Sequence, residues 1–164
     1  MNKRELFLTL FNIGYIKKAS GTWGSLFGLI VGIPILYFSP STLFALAALC
    51  GIIAIKEIDI YENNIGIHDA KYIVIDELIG IWIAMSISGF SIVSIIFSFV
   101  FFRLYDIWKP SIIGKVDKHT KGGLGVVGDD VLAGFFAGIT TLVFVALFAQ
   151  IGINICLQSL HPKF

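Results

Sequence analysis

Long apolar runs, interrupted by two polar stretches, dominate the chain. No charged residue occurs in residues 19–55, and Pro34 and Pro40 divide this run. Proline with flanking serines favours a turn, so the pattern predicts one helix at about residues 24–38 and a second at about residues 42–58. Both are near or below the ~20 residues that a straight membrane crossing needs, which leaves open whether they span fully.

Three more apolar segments follow, at residues 72–88, 90–102 and 131–155, and the last is the clearest spanning pattern. Polar stretches at residues 56–71 and 103–130 flank them, and Gly89 marks a tight turn. The pattern predicts an all-α fold, a polytopic membrane helical bundle of four to five apolar helices with two polar loops at the cytoplasmic face. All 164 residues are expected to form one domain.

The composition indicates a bilayer rather than water as the surrounding solvent. Apolar residues make up 57% of the chain and charged residues 14%, where a soluble domain carries roughly 25% charged residues. Mean hydropathy is +0.90. A chain of this size has too little interior to bury so much apolar surface. Because the net charge is only +1, nucleic acid is not an expected partner.

Basic residues predict the orientation. Lys3, Arg4, Lys17 and Lys18 favour a cytoplasmic N terminus, and five crossings would then place both polar stretches in the cytoplasm. Eleven of the 12 Lys and Arg residues would lie inside, with only Lys163 outside. All 11 carboxylates would fall on or near the same face. Acids that are distant in the sequence can therefore converge.

The third apolar segment opens with an acidic pair, Asp76 and Glu77. Acids in such a segment are costly and need a partner or an ion. Alternatively, Asp76 lies in interfacial water or pairs with Lys71 or Arg103. The polar stretch just before this segment also holds His68 and Asp69.

A second cluster contains Arg103, Asp106 and Lys109, which are spaced three apart and would share one helical face. Pro110 is expected to end or kink that helix. The three side chains could simply form ion pairs with one another on the helix surface. Alternatively, Arg103 and Lys109 could bind a phosphate. Arginine offers a planar fork to phosphate oxygens, and lysine offers a point charge.

The third cluster is a glycine-rich segment, residues 117–130, that leads into the last apolar segment. Its backbone amides could approach an anion. Asp129 and Asp130 would repel a bare phosphate, but a divalent cation held by them would bind one. Hard oxygen ligands favour Mg²⁺ or Mn²⁺ over zinc. The alternative is that Asp129 is an N-cap and Asp130 complements the helix dipole.

Four segments in order resemble the phosphatidylglycerophosphatase A family of bacterial membrane phosphatases. They are GTWGSL at residues 21–26, His68-Asp69 with IVIDELIG at residues 73–80, FRLYDIWKP at residues 102–110, and GGLG at residues 122–125 with Asp129-Asp130. The resemblance implies removal of the terminal phosphate from phosphatidylglycerophosphate, giving phosphatidylglycerol in phospholipid biosynthesis. It also implies Mg²⁺ as cofactor and the bacterial inner membrane as location.

This activity gives the candidate residues expected roles. The metal shell is expected from Asp76, Glu77, Asp129 and Asp130, with Asp106 next. Arg103 and Lys109 would bind the reacting phosphate. Asp117, Gly122 and Gly123 belong to the predicted substrate-binding loop, in which Lys118 and Lys121 would bind the second, diester phosphate. His68 or Asp69 would position water or protonate the leaving oxygen, and attack by a carboxylate or directly by water stays open.

A small ion-binding or transport membrane protein is the alternative function, since intramembrane acids often mark ion pathways. Here the acids cluster toward one face, and the outer halves of the predicted helices carry no polar relay. This asymmetry favours the enzyme.

Overall fold

The computed structural model describes residues 2–66, 70–110, 113–114, 120 and 122–150. Their main elements are α1 (Lys3–Leu8), a 3₁₀ turn (Ile13–Tyr15), α2 (Ser20–Phe38), α3 (Pro40–Ile65), α4 (Ile75–Ser88), α5 (Ile92–Trp108) and α6 (Gly123–Gln150). These residues contain no β-strand, so the predicted all-α class is confirmed.

α3 is longer than predicted and takes up most of the first polar stretch. Its buried positions are Leu43, Ala47, Gly51, Ala54 and Ile58, spaced three or four apart as on one helical face. One turn beyond Ile58, Tyr61 is partly buried against the same core and its hydroxyl donates a hydrogen bond of 3.4 Å to the Tyr72 hydroxyl, so the helix continues into the polar stretch. The predicted end of this helix at about residue 58 was therefore too early.

The predicted turn at Pro40 is present as a sharp junction between α2 and α3. Ser39 has an extended backbone, and its side-chain oxygen accepts a hydrogen bond from the Thr42 amide at 3.1 Å. Pro40 then occupies the first helical position, where its missing amide hydrogen costs nothing. At the other predicted turn, Gly89 ends α4 with a φ of +78°.

α4 is the central helix of the bundle, and it contacts α2, α3, α5 and α6. Nine of its 14 residues are buried. A Cβ added at Gly134 of α6 would overlap the Gly80 carbonyl oxygen of α4. Small residues at such crossings let helix backbones approach closely. This close contact fixes the relative positions of α4 and α6.

α6 begins earlier than predicted and absorbs most of the glycine-rich segment. Gly122 has a φ of +74°, and the Gly123 amide donates a hydrogen bond of 2.7 Å to the Asp59 carboxylate of α3. Asp129 and Asp130 therefore lie in the second turn of α6. The alternative reading of Asp129 as an N-cap was wrong.

The N-terminal residues form an element that the apolar pattern did not predict. Leu8 at the end of α1 is buried, and its carbonyl oxygen accepts a hydrogen bond of 3.0 Å from the Val74 amide. Arg4 forms an ion pair with Glu57 of α3. These contacts hold α1 against the residues that lead into α4.

Within the described residues, two helices could cross a membrane by length and composition alone: Ser20–Phe38 with 19 residues and Gly123–Ala149 with 27. α4 and α5 are shorter, with 14 and 17 residues. Large apolar side chains such as Ile30, Ile52 and Ile96 are exposed on the bundle surface, as expected of side chains that face lipid. The fold thus suits a membrane protein, and five crossings stay a prediction.

Candidate active site

A cavity of about 450 Å³ lies at the end of the bundle where α4 and α6 begin and α5 ends. Among the described residues, six of the predicted site residues line it: Asp76, Glu77, Asp106, Lys109, Asp129 and Asp130. Three stretches that are distant in the sequence therefore meet at one place, as the shared membrane face predicted.

Asp76 and Glu77 enter the cavity from the first turn of α4. A side-chain oxygen of Asp76 accepts a hydrogen bond of 3.0 Å from the Glu77 amide, one of the donors that a helix start leaves unpaired. The helix dipole also favours negative charge there. Glu77 in turn accepts a hydrogen bond of 3.1 Å from Ser25 of α2.

Arg103 joins two of the acids. Its Nη1 atom lies 2.9 Å from Glu77 Oε2 and 2.7 Å from Asp106 Oδ2. All three side chains are only 15% exposed, so water screens these charges less than it would at the surface. The contact with Asp106 is the ion pair that the spacing allowed as an alternative. Arg103 as a phosphate ligand stays a prediction, and what the structure shows is a bridge between acids.

Lys109 does not follow the helical face predicted for it. α5 ends at Trp108, because the residue before Pro110 is disfavoured in the α region. Lys109 itself has a left-handed backbone with a φ of +44°. Its Nζ atom lies 2.6 Å from Asp129 Oδ2. This ion pair connects the end of α5 to α6 beside the cavity.

Asp129 and Asp130 are 5% and 3% exposed. Burying a carboxylate is expensive unless it is paired, and Asp129 has Lys109 as a partner. The Oδ2 atom of Asp130 accepts no hydrogen bond from the described part of the chain. A buried carboxylate oxygen in a cavity with four other acids is chemically suited to a cation.

The donor set fits a hard divalent cation such as Mg²⁺. The five cavity acids offer oxygen ligands, which Mg²⁺ prefers. Within the described ranges, no group of three or more His, Cys, Asp or Glu side chains is arranged so that it could hold a metal ion by itself. A complete cage is not required, because Mg²⁺ keeps several waters and is usually held by one or two carboxylates together with substrate phosphates.

The predicted substrate-binding loop is only partly described. Gly122 and Gly123 are not among the described cavity-lining residues, and the Gly123 amide already donates to Asp59. Their substrate-binding role stays a prediction. His68, Asp69, Asp117, Lys118 and Lys121 lie outside the described residues.

The family model for phosphatidylglycerophosphatase A matches residues 6–148. The chain belongs to this family. Phosphatidylglycerophosphatase A of Haemophilus influenzae is 36% identical over 141 residues, which cover 85% of this chain and 86% of that protein. The protein of the same name from Escherichia coli K12 is 35% identical over 144 residues, covering 84% and 81%.

A Bacteroides thetaiotaomicron protein named "Putative phosphatidylinositol-3-phosphatase" is 35% identical over 157 residues, which cover 86% of this chain and 96% of that protein. No solved structure matches the chain. Membership of the phosphatidylglycerophosphatase A family makes the protein a phosphatase, and residues 6–148 include every described side chain of the cavity.

Sequence reasoning missed the contribution of α2 to this phosphatase site. The Ser25 side chain is fully buried, and its oxygen lies 3.1 Å from Glu77 and 3.3 Å from Arg103. A Cβ added at Gly21 would overlap the Glu77 carboxylate. Serine and glycine are common in membrane helices, so only the family-like segment at residues 21–26 could have pointed to them.

Proposed function

We propose that this phosphatase hydrolyses the terminal phosphomonoester of phosphatidylglycerophosphate in a Mg²⁺-dependent reaction. The products are phosphatidylglycerol and phosphate, and the reaction serves phospholipid biosynthesis. The observation that carries the proposal is the meeting of five carboxylates from α4, α5 and α6 around one cavity. Two relatives that cover most of the chain are named phosphatidylglycerophosphatase A.

The proposed location is the bacterial inner membrane, with α2 to α6 forming a multi-pass bundle and the cavity facing the cytoplasm. The turns at Ser39 and Gly89 carry no basic residue, whereas Lys18, Lys71 and Lys109 lie toward the cavity end. This difference between the two ends supports the orientation. The lipid would keep its acyl chains in the inner leaflet while its head group enters the cavity.

Asp76, Glu77, Asp129 and Asp130 would hold the Mg²⁺, with Asp106 beside them. Five carboxylates against the paired cations Arg103 and Lys109 leave an excess of negative charge, which would repel a phosphate if nothing compensated for it. Bound Mg²⁺ would supply this compensation, polarise the phosphoryl group and lower the pKa of a bound water.

The chain's own cations have two roles in this proposal. Arg103 holds Glu77 and Asp106 in place through its two ion pairs. Lys109 lines the cavity beside Asp129, where its ammonium group can also contact a phosphate oxygen. His68 or Asp69 would position water or protonate the leaving oxygen, the role expected for them in the predicted activity.

The test is phosphate release from phosphatidylglycerophosphate by the full chain in mixed micelles. Asp130→Asn keeps the side-chain shape but removes the charge. Loss of an outer-shell metal partner costs up to about 100-fold, so loss of a direct ligand should lower the rate by at least about 100-fold. Chelation should abolish the wild-type rate, and added Mg²⁺ should restore it.

Glu62→Gln is the matched control, because Glu62 lies on α3 and is not among the described cavity-lining residues. It should leave turnover unchanged, and both variants should insert into membranes at the wild-type level. Normal turnover by a correctly inserted Asp130→Asn protein would remove Asp130 from the metal shell.

The Bacteroides relative raises a second head group for the same reaction. Phosphatidylinositol-3-phosphate should be included in the assay, and we expect its kcat/KM to be lower than that of phosphatidylglycerophosphate. The reverse order would reassign the substrate and keep the reaction class.

Family membership favours the enzyme over the ion-transport alternative, and a liposome flux assay with Mg²⁺ or protons checks that alternative directly.

A further inference from the structure

Lys71 differs from Arg103 and Lys109, the other cations that the described part of the chain brings to the site. Arg103 and Lys109 are both in ion pairs with acids that line the cavity. Lys71 lines the same cavity and is exposed. In the described part of the chain, no carboxylate lies within ion-pair distance of Lys71. Its ammonium group is therefore available to an anion at the cavity mouth.

The backbone around Lys71 is held in place from two sides. The Ser20 hydroxyl of α2 donates a hydrogen bond of 2.9 Å to the Lys71 carbonyl oxygen. The Val74 amide donates to the last carbonyl of α1, and the Tyr72 ring stacks on Tyr15 with centroids 5.2 Å apart. A fixed backbone lowers the ordering cost when the side chain binds a ligand.

Depth separates the two anionic groups of the proposed substrate. Its phosphomonoester must reach the acids of α6, which are almost fully buried. Its phosphodiester joins the head group to the acyl-bearing glycerol, and so lies closer to the cavity mouth. Placing this diester beside an acid-lined cavity requires a local positive charge, since like charges repel at short range.

We propose that Lys71 binds the diester phosphate of the substrate and thereby favours lipids with two phosphates over lipids with one. This inference rests on the proposed function. It adds a specificity-determining residue on the segment between α3 and α4, separate from the acids and from the residues that were expected to read the diester in the glycine-rich segment.

The experiment compares kcat/KM for phosphatidylglycerophosphate with kcat/KM for phosphatidate, which has a phosphomonoester but no diester phosphate. Lys71→Gln should lower the ratio of these two values by about tenfold, the effect of losing one charge-assisted hydrogen bond. Lys71→Arg should stay near the wild-type ratio. The ratio does not depend on the fraction of protein that folds.

Lys56→Gln is the matched control, because Lys56 is an exposed lysine of α3 that does not line the cavity. If phosphatidate is turned over too slowly to measure, KM for phosphatidylglycerophosphate becomes the readout. This KM should rise about tenfold in Lys71→Gln with little change in kcat.

Three results would overturn the inference. An unchanged ratio with an equal fall in both kcat/KM values would mean that Lys71 acts on the shared phosphomonoester. An unchanged ratio with neither value lowered, or an unchanged KM where phosphatidate is not turned over, would mean that Lys71 does not bind the diester. Failure of the wild-type protein to hydrolyse phosphatidylglycerophosphate would instead refute the proposed function, and the role of Lys71 would fall with it.

Discussion

At the scale of single residues, Arg103 determines how the cavity acids are arranged. It contacts Glu77 of α4 and Asp106 of its own helix through the same Nη1 atom. Ser25 of α2 lies within 3.3 Å of that atom. One guanidinium group thus links three helices at the cavity. Its loss would leave two poorly hydrated carboxylates close together without compensation.

We therefore expect Arg103→Gln to destabilise the protein by about 3 kcal/mol, the lower end of the range for breaking a buried ion pair. Unfolding in a denaturant titration of the detergent-solubilised protein measures this change. Arg4→Gln is the matched control, because Arg4 and Glu57 are 25% and 31% exposed, and it should cost at most about 1 kcal/mol. Equal effects of the two substitutions would contradict a structural role specific to Arg103.

A site residue could be identified from the sequence only where its residue type has no common structural role at that position. Asp76, Glu77 and Asp130 stand out because acids are rare and costly beside apolar segments. Ser25 and Lys71 did not stand out, since a helix hydroxyl and a loop lysine have common structural explanations. Their place at the cavity depends on how α2 packs against α4, which no local pattern reports.

At the scale of helices, apolar runs located the five long elements but not all of their ends. α3 and α6 both extend into stretches that are polar or glycine-rich, because one face of each helix stays packed inside the bundle. α1 was missed because six residues with two basic side chains give no apolar period. Tertiary contacts set these boundaries, so sequence periodicity alone could not.

Close contact between α4 and α6 should be as important to the site as the acids themselves. Gly134→Ala would place a Cβ against the Gly80 carbonyl oxygen. Such overpacking typically costs about 1–3 kcal/mol, and the resulting shift of α6 should lower phosphatase activity. Unfolding midpoints and phosphate release measure the two effects.

Gly51→Ala is the control for Gly134→Ala. A Cβ at Gly51 would make only ordinary contacts, 3.8 Å from Ile79 and 3.9 Å from Val127. This substitution should be neutral or stabilise α3 by up to about 1 kcal/mol. If Gly134→Ala were as well tolerated, the approach of α6 to α4 would not limit activity.

At the scale of the whole molecule, all five long helices have their polar ends on one side. α2, α4 and α6 begin there and α5 ends there, since residues from these ends line one cavity. α3 ends there as well, because Asp59 contacts the start of α6. The turns at Ser39 and Gly89 lie at the opposite end, without charged side chains. This up-and-down order explains why the predicted alternation of helices placed acids from distant segments at the same end.

The same polarity predicts which end of the molecule faces the cytoplasm. Ser41 lies beside the uncharged turn, and Lys18 lies beside the cavity end; both are exposed. In a Cys50→Ala, Cys156→Ala background, Ser41→Cys should react with a membrane-impermeant maleimide in intact cells. Lys18→Cys should react only after permeabilisation, because basic flanks are retained in the cytoplasm. If an active Lys18→Cys variant were labelled in intact cells, the cavity would face the outside of the cell. That result would exclude a substrate taken from the inner leaflet.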